Sequence, residues 1–234
     1  MIAILRRELS AYFYSPIGYV CLAAFYVFAG LFFTSYNLVY GVADISYVFS
    51  SMFTIVLFLI PILTMRLFSE DKKNRTEQAL LTAPISLPGL VFGKFLAALL
   101  VFVMSLSITI VFGLIVNAFT APNWQLIWGN FIAMLLLGMA MISIGTLISS
   151  LTENQVIAAI GGFVVSLALM VIDMLASAIM NPIVTTVLQS ISFNRHYMSF
   201  SQGIFNLADI FFFVAVTVIF LFLTVRVLEK RRWS

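Results

Sequence analysis

The chain has 234 residues, of which 63% are hydrophobic and only 9% are charged. An ordinary soluble domain carries about 25% charged residues, so the composition excludes a soluble globular protein. The net charge of +3 does not indicate nucleic-acid binding, because the basic residues stand at the ends of long apolar runs, where membrane topology explains them. The single cysteine, Cys21, excludes an intrachain disulfide. The sequence therefore predicts an all-α integral membrane protein in a lipid bilayer.

The first fifteen residues predict an amphipathic helix. Ile2, Leu5 and Leu9 repeat at helical spacing, and Pro16 ends the pattern. We expect residues 1–15 to lie as an interfacial helix on the membrane surface. The arginines ahead of the first apolar run give the charge order of a signal peptide, but the run is too long, so we expect an uncleaved span.

Six uninterrupted apolar stretches follow, and each is long enough for a hydrocarbon core that takes about 20 helical residues to cross. They lie near residues 16–38, 47–67, 89–116, 126–149, 155–179 and 207–227. Pro61 falls inside the second stretch, where it should kink the helix or leave a backbone group that a neighbouring helix must satisfy.

The basic residues predict the orientation of these spans. Eleven of the twelve lie in the N-terminal segment, the second loop and the C-terminal tail, which an even number of spans places on one side. Arg195 is the exception on the other side. By the positive-inside rule both termini are cytoplasmic, and the protein is a multi-pass protein of the plasma membrane.

The second loop, residues 68–88, is long and charged, and it has internal order. Asn74 is expected to cap a short helix over about residues 75 to 83, with Glu77 as its reciprocal partner and Pro84 ending the run. Leu80 and Leu81 give this helix an exposed apolar edge, which suits docking into a groove of another protein. The alternative is that the charges only set the orientation and solvate a loop.

A family resemblance rests on this loop, "RLFSEDKKNRTEQALLTAPISLPGLVFGKFLAAL". It resembles the cytoplasmic-loop signature of type-2 ABC transporter permeases, in particular the gliding-motility-associated branch. The matching positions are Thr76, Leu80, Leu81, Thr82, Pro84, Ile85, Gly93 and Lys94. The segments "LRRELSAYFYSPIGYV", "SSLTENQVIAA" and "FNRHYMSFSQGIFNLADIFFF" are similar to other parts of the same family.

The resemblance implies a coupling helix that docks on a separate ATPase subunit, which would bind ATP and Mg²⁺. The docking positions it implies are Thr76, Glu77, Gln78, Ala79, Leu80, Leu81, Thr82 and Ala83. The family often has glycine before the threonine, whereas this chain has Arg75. A positive φ would be costly for arginine, so we expect this turn to differ from the family's.

The resemblance also implies a second permease subunit, identical or a sister chain, because six spans make half of the family's pathway. Pro61 is a candidate hinge beside the coupling loop. Residues 182–203 resemble short helices that cover the external end of the pathway, and Arg195, His196 and Tyr197 are candidate outer-gate residues. An ordered loop that caps the bundle is the alternative. The family leans to export.

A nucleotide site on this chain itself is excluded by its motifs. The phosphate-binding pattern G-x-x-x-x-G-K-[ST] is absent, and Phe95 follows the nearest Gly-Lys pair where Ser or Thr is required. We therefore expect no bound cofactor, and Lys94 is expected to snorkel to the membrane interface from the start of the third span.

Two other classes of membrane protein remain as the alternative, a stand-alone intramembrane enzyme or a secondary transporter. An intramembrane enzyme needs convergent acids, histidines or metal ligands, and the chain offers only His196 and Asp173, too few for a three-ligand metal site. A secondary transporter would normally carry ionisable residues near the midplane, and these spans carry almost none. The sequence therefore predicts a permease subunit with no catalytic residue and no metal site.

Overall fold

The computed structural model describes residues 2–76, 86–178, 182–203 and 206–232. Within these ranges the chain is helical and contains no strand. The α-helices are α1 (Ile2–Tyr14), α2 (Pro16–Phe33), α3 (Ser46–Thr64), α4 (Ser69–Lys73), α5 (Leu87–Phe119), α6 (Trp124–Leu151), α7 (Gln155–Ala178), α8 (Pro182–Ile191), α9 (Phe193–Ser201) and α10 (Leu207–Arg232).

Six helical segments are long and apolar enough to cross a membrane, so the predicted number of spans is confirmed. They are Pro16–Val39, Ser46–Lys73, Leu87–Phe119, Trp124–Leu151, Gln155–Ala178 and Leu207–Arg232. These segments are longer than the predicted spans chiefly where a helix continues past its apolar stretch into charged residues, as α10 does.

Helix α6 is the centre of the bundle and packs against α3, α5, α7, α9 and α10. Its sequence is apolar on all sides, as expected of a helix that is surrounded by other helices. Small residues let the neighbours approach closely. A side chain at Gly138 would overlap the ring of Phe102 on α5, and one at Gly145 would overlap Thr64 on α3.

Helices α1 and α2 meet at a sharp break. Ser15 has extended backbone angles and its hydroxyl accepts a hydrogen bond from the Ile17 amide, while Pro16 occupies the first turn of α2, a position that proline favours. At the other end, α2 continues as a π-helix over Thr34–Val39, which the sequence did not predict.

The chain alternates between two ends of the bundle. One end holds α1, the α3–α5 connection, the α6–α7 turn and the last turns of α10, and we call it the basic end. The opposite, or distal, end holds the short helices α8 and α9. Because the described helices alternate in direction, the N-terminal helix and the C-terminus of α10 share the basic end.

Candidate functional site

At the basic end, four charged side chains form a compact group, which we call the ion cluster: Arg7, Glu8, Asp71 and Lys94. Lys94 Nζ lies 2.9 Å from Glu8 Oε1 and 2.6 Å from Asp71 Oδ2. Arg7 Nη2 donates to Asp71 Oδ1 at 2.9 Å. The cluster holds two positive and two negative charges, with Arg7 half exposed and the other three side chains largely buried, and it joins α1, α4 and α5.

The expectation that Lys94 would snorkel to the membrane interface is wrong. Its side chain is 1% exposed, and Nζ also donates to the Leu67 carbonyl at 2.5 Å. The physical reason is that α1 packs on the start of α5 and brings Glu8 over Lys94, so the ammonium finds its partners inside the protein. Glu8 and Asp71 were missed by the sequence analysis as members of a site.

The predicted docking segment begins directly beside the ion cluster. The Thr76 hydroxyl lies 2.8 Å from Asp71 Oδ1, to which it donates, and 3.2 Å from the Asp71 carbonyl oxygen. The other docking positions, Glu77, Gln78, Ala79, Leu80, Leu81, Thr82 and Ala83, lie outside the described residues. One side chain of the ion cluster thus touches the first residue of the predicted docking segment.

The turn before Thr76 is described as far as Thr76 itself. Asn74 caps the C-terminus of α4, with its amide donating to the Glu70 carbonyl at 2.9 Å, and its predicted reciprocal partner Glu77 lies outside the described residues. Arg75 has a φ of 57°, the left-handed conformation that glycine favours. Arg75 therefore adopts the conformation that was expected to be costly for arginine.

A single hydroxyl attaches the end of α3 to the end of α6. Ser149 Oγ accepts from the Phe68 and Ser69 amides at 3.0 and 3.2 Å and donates to the Met65 carbonyl at 3.0 Å. Lys72 Nζ donates to the Ser150 carbonyl nearby, one of the carbonyls that a helix C-terminus leaves without an intrahelical partner. The α3–α4 connection is therefore attached to the central helix.

Helix α1 is attached to the same connection by an aromatic side chain. The buried Tyr12 hydroxyl donates to the Leu63 carbonyl at 2.8 Å, and the Arg66 guanidinium lies 5.3 Å from the centre of the Tyr12 ring. Burial raises the pKa of Tyr12, an effect that Arg66 only partly offsets. The phenol therefore remains a protonated donor.

Pro61 leaves the backbone gap that the sequence analysis expected, and a neighbouring helix fills it. Proline has no amide hydrogen, so the Leu57 carbonyl has no intrahelical donor four residues later. The Ser166 hydroxyl of α7 donates to this carbonyl at 2.6 Å. Gly162, one turn earlier, allows the approach, because a β-carbon there would lie 2.6 Å from Pro61 Cβ.

A cleft of about 830 Å³ opens at the basic end between the end of α4 and the α6–α7 turn. Its polar lining includes Lys73, Arg75, Glu153 and Asn154. The chain runs from this cleft into the predicted docking segment, so the cleft and that segment adjoin in sequence.

At the distal end, one polar side-chain contact to each of four spans attaches α9 to the bundle. Tyr197 donates to the Phe49 carbonyl of α3 at 3.0 Å, and Ser201 donates to Asn130 Oδ1 of α6 at 2.9 Å. Ser192, the N-cap of α9, donates to Asp173 Oδ1 of α7 at 2.5 Å. His196 Nδ1 lies 2.5 Å from Asp209 Oδ1 of α10. We call α9 with these contacts the α9 cap.

The three predicted outer-gate residues follow one another in α9 but face different neighbours. Tyr197 points inward and is buried, and burial raises its pKa, although a hydrogen bond with Ser201 opposes this. His196 contacts α10, whereas Arg195 is exposed and donates to Gln189 Oε1 at 2.7 Å. The sequence analysis missed the partners of these residues, because they lie on distant segments of the chain.

Among the described residues, no three histidine, cysteine or acidic side chains come together where they could hold a metal ion. The polar groups at both ends instead pair with one another or with backbone carbonyls. These arrangements connect helices to one another.

Comparison with known families gives one match. The family model described as ABC-2 family transporter protein matches residues 2–233, nearly the whole chain. No curated protein matches the chain.

Proposed function

Because the chain belongs to the ABC-2 transporter family, we propose that it forms the substrate pathway of an ATP-driven transporter and is driven by a separate ATPase subunit. Family membership and six spans make it an integral membrane permease subunit. The family as a whole implies an ABC ATPase partner. The proposal concerns where that partner docks and how its movement reaches the spans.

One observation carries the proposal. The predicted docking segment runs from Thr76 to Ala83. The residues just before it are attached to three different helices at the basic end. Asp71 pairs with Arg7 of α1 and Lys94 of α5, while Ser149 of α6 accepts the Phe68 and Ser69 amides. A partner that moves the docking segment would therefore move these elements with it.

The contacts suggest a route for that movement. Binding and hydrolysis of ATP on the partner would displace the docking segment, and the displacement would pass through α4 to α3 and α6. Pro61 would act as the hinge, because α3 lacks a backbone hydrogen bond there and depends on Ser166 of α7 instead. Helix α1, joined through the ion cluster, would follow along the membrane surface.

We further propose that the basic end is cytoplasmic, in the plasma membrane, and that the protein works as an exporter with a second permease subunit, identical or a sister chain. The excess of basic residues at that end supports the orientation. The α9 cap then lies on the outer side, where Arg195, His196 and Tyr197 would belong to an outer gate.

The test is a mild-detergent purification of the tagged protein, with identification of what co-purifies and an ATPase assay. The Leu80→Asp/Leu81→Asp double variant should lose the partner and its ATPase activity while still inserting in the membrane. The matched control is Leu38→Asp/Val39→Asp, an adjacent apolar pair that is exposed at the distal end, and it should keep the partner. Equal recovery of the partner with both variants would contradict the docking site.

A further inference from the structure

We propose that a cavity beside Asn37, at the distal end of the bundle, binds the hydroxyl group of an uncharged membrane lipid. The cavity has a volume of about 290 Å³ and lies between the π-helix that continues α2, the α2–α3 connection and the last turns of α5. We call it the Asn37 cavity. This inference goes beyond ATP-driven coupling and does not depend on it.

Asn37 is a polar residue in an otherwise apolar buried row of α2. Phe25, Ala29 and Phe33 precede it at intervals of four residues, which places them on one side of the helix, and all three are buried. The π-helix Thr34–Val39 continues this row, and Asn37 is only 5% exposed. Short π-helices are rare and occur frequently at functional sites. The row therefore carries a buried amide at a position where an apolar side chain would be less costly.

The hydrogen bonds of Asn37 leave its oxygen without a donor. Nδ2 donates to the Val42 carbonyl at 2.6 Å and to the Asp44 carbonyl at 3.1 Å. Because carbonyl oxygens only accept hydrogen bonds, these two contacts fix which end of the amide is the nitrogen. Oδ1 is buried and has no hydrogen-bond partner among the described residues. A buried acceptor without a donor is unfavourable, so Asn37, which lines the cavity, favours a molecule that supplies one.

The lining of the Asn37 cavity favours an apolar and uncharged ligand. The apolar side chains that line it include Phe33, Leu38, Ile115, Val116 and Phe119. Its polar side chains are Asn37 and the exposed Thr120, whereas a buried water needs two to four polar partners. No charged residue is among the described residues that line it, so a charged group would be costly to bury there. The expected ligand has an uncharged donor and an apolar body, as a lipid with a hydroxyl group does.

The cavity also lies at the depth where a lipid hydroxyl is expected. It is at the ends of two candidate spans, Pro16–Val39 and Leu87–Phe119. Tyr40 and Trp124 stand close to these ends in the sequence, and both residue types are enriched at membrane–water interfaces. The volume is just below the range of about 300–1,000 Å³ that is usual for drug-sized ligands. We therefore expect it to hold the hydroxyl and the first part of a chain, with the rest of the chain against the exposed apolar surface.

The first test is photoaffinity labelling of the full chain in phosphatidylcholine nanodiscs. The probe is hexadecanol with a diazirine close to its hydroxyl, and mass spectrometry locates the labelled residues. We expect labelling of residues that line the Asn37 cavity and a decrease in this labelling when unlabelled hexadecanol is added in excess. Hexadecyl methyl ether has the same chain without the donor and should compete about tenfold less effectively, as expected for the loss of one hydrogen bond.

Two results of this first test would overturn the proposal. One is equal competition by the alcohol and the ether, which would mean that the donor is not recognised. The other is labelling that neither compound reduces, which would mean that the cavity holds only water or bulk lipid.

The second test fills the cavity and leaves the Asn37 side chain unchanged. Ala43→Leu adds bulk at a residue that lines the cavity, so we expect the labelling that hexadecanol can reduce to be lost. Ala121→Leu is the matched control, because Ala121 is also at the distal end but lines a neighbouring cavity and not this one. It should keep the labelling of the parent. Equal labelling of the two variants would overturn the proposal.

Asn37→Leu removes the acceptor itself. We expect the alcohol and the ether to compete equally in this variant, because neither finds a hydrogen-bond partner. A preference for the alcohol that persists in Asn37→Leu would overturn the proposal. The substitution also removes the two hydrogen bonds to the α2–α3 connection. If Asn37→Leu does not fold, Ala43→Leu and its control decide the question.

Discussion

Lys94 Nζ, at the start of α5, lies 2.9 Å from Glu8 Oε1, in the middle of α1. This ion pair joins a helix predicted to lie along the membrane surface to a helix that crosses the membrane. The same ammonium lies 2.6 Å from Asp71 Oδ2, and Asp71 contacts Thr76, the first residue of the predicted docking segment. Three segments that are distant in sequence are therefore held together at one buried amino group.

Removing this amino group should be strongly destabilising. Lys94→Met leaves Glu8 buried without its cation and removes one of the two cations that pair with Asp71, and breaking a buried pair costs about 3–5 kcal/mol. We expect a lower unfolding midpoint in detergent, measured by thermal denaturation. Lys73→Met, at an exposed position, is the control and should leave the midpoint nearly unchanged. Similar midpoints for the two variants would contradict a stabilising ion cluster.

Arg75 is a position where glycine should be better than the native residue. A left-handed conformation costs an ordinary residue about 1–2 kcal/mol, so we expect Arg75→Gly to raise the stability measured by unfolding. Lys73→Gly, in the last turn of α4, should lower it, because glycine inside a helix costs about 1 kcal/mol. Destabilisation of similar size by both substitutions would contradict the left-handed turn.

Pro61 and Ser166 should be coupled in a double-mutant cycle. Ser166→Ala removes the donor to the Leu57 carbonyl and should cost about 1–3 kcal/mol, the usual cost of an unsatisfied buried group. In a Pro61→Ala background the restored backbone amide can serve this carbonyl, so Ser166→Ala should cost less. Unfolding free energies of the four proteins give the coupling. Equal costs in the two backgrounds would mean that Ser166 does not compensate for proline.

Tyr197 should stabilise the α9 cap by the same amount at acid and at neutral pH. Burial raises the pKa of its phenol. A group whose pKa is raised on folding contributes its full stabilisation at every pH below the pKa of the unfolded state, which for tyrosine is about 10. Tyr197→Phe loses the hydrogen bond to Phe49 and should cost about 1 kcal/mol, with the same value at about pH 6 and about pH 8, both below that pKa. Unfolding measured at both conditions checks this, and a pH-dependent cost would contradict it.

The number of spans could be predicted from the sequence because hydropathy is a local property of each segment. The gap at Pro61 was likewise predictable, since a missing amide hydrogen needs no tertiary information. Which residue would fill the gap was not, because Ser166 is 109 residues away along the chain.

The ion cluster lay beyond prediction for the same reason. Lys94 and Glu8 are 86 residues apart, and nothing in either local sequence shows that α1 packs against α5. A lone acid in an otherwise apolar and basic N-terminal helix was the available signal. Arg75 illustrates the opposite case, because local preference argued against a conformation that the surrounding structure nevertheless imposes.

The central claim is that an ATPase subunit docks on residues Thr76 to Ala83, and site-specific photocrosslinking in native membranes tests it most directly. A photoreactive amino acid at Leu80 should crosslink to a protein that carries the phosphate-binding motif of ATPases, whereas the same probe at Leu38, at the distal end, should not. Crosslinks from Leu80 to lipid alone, or equal yields of the ATPase from both positions, would contradict the claim.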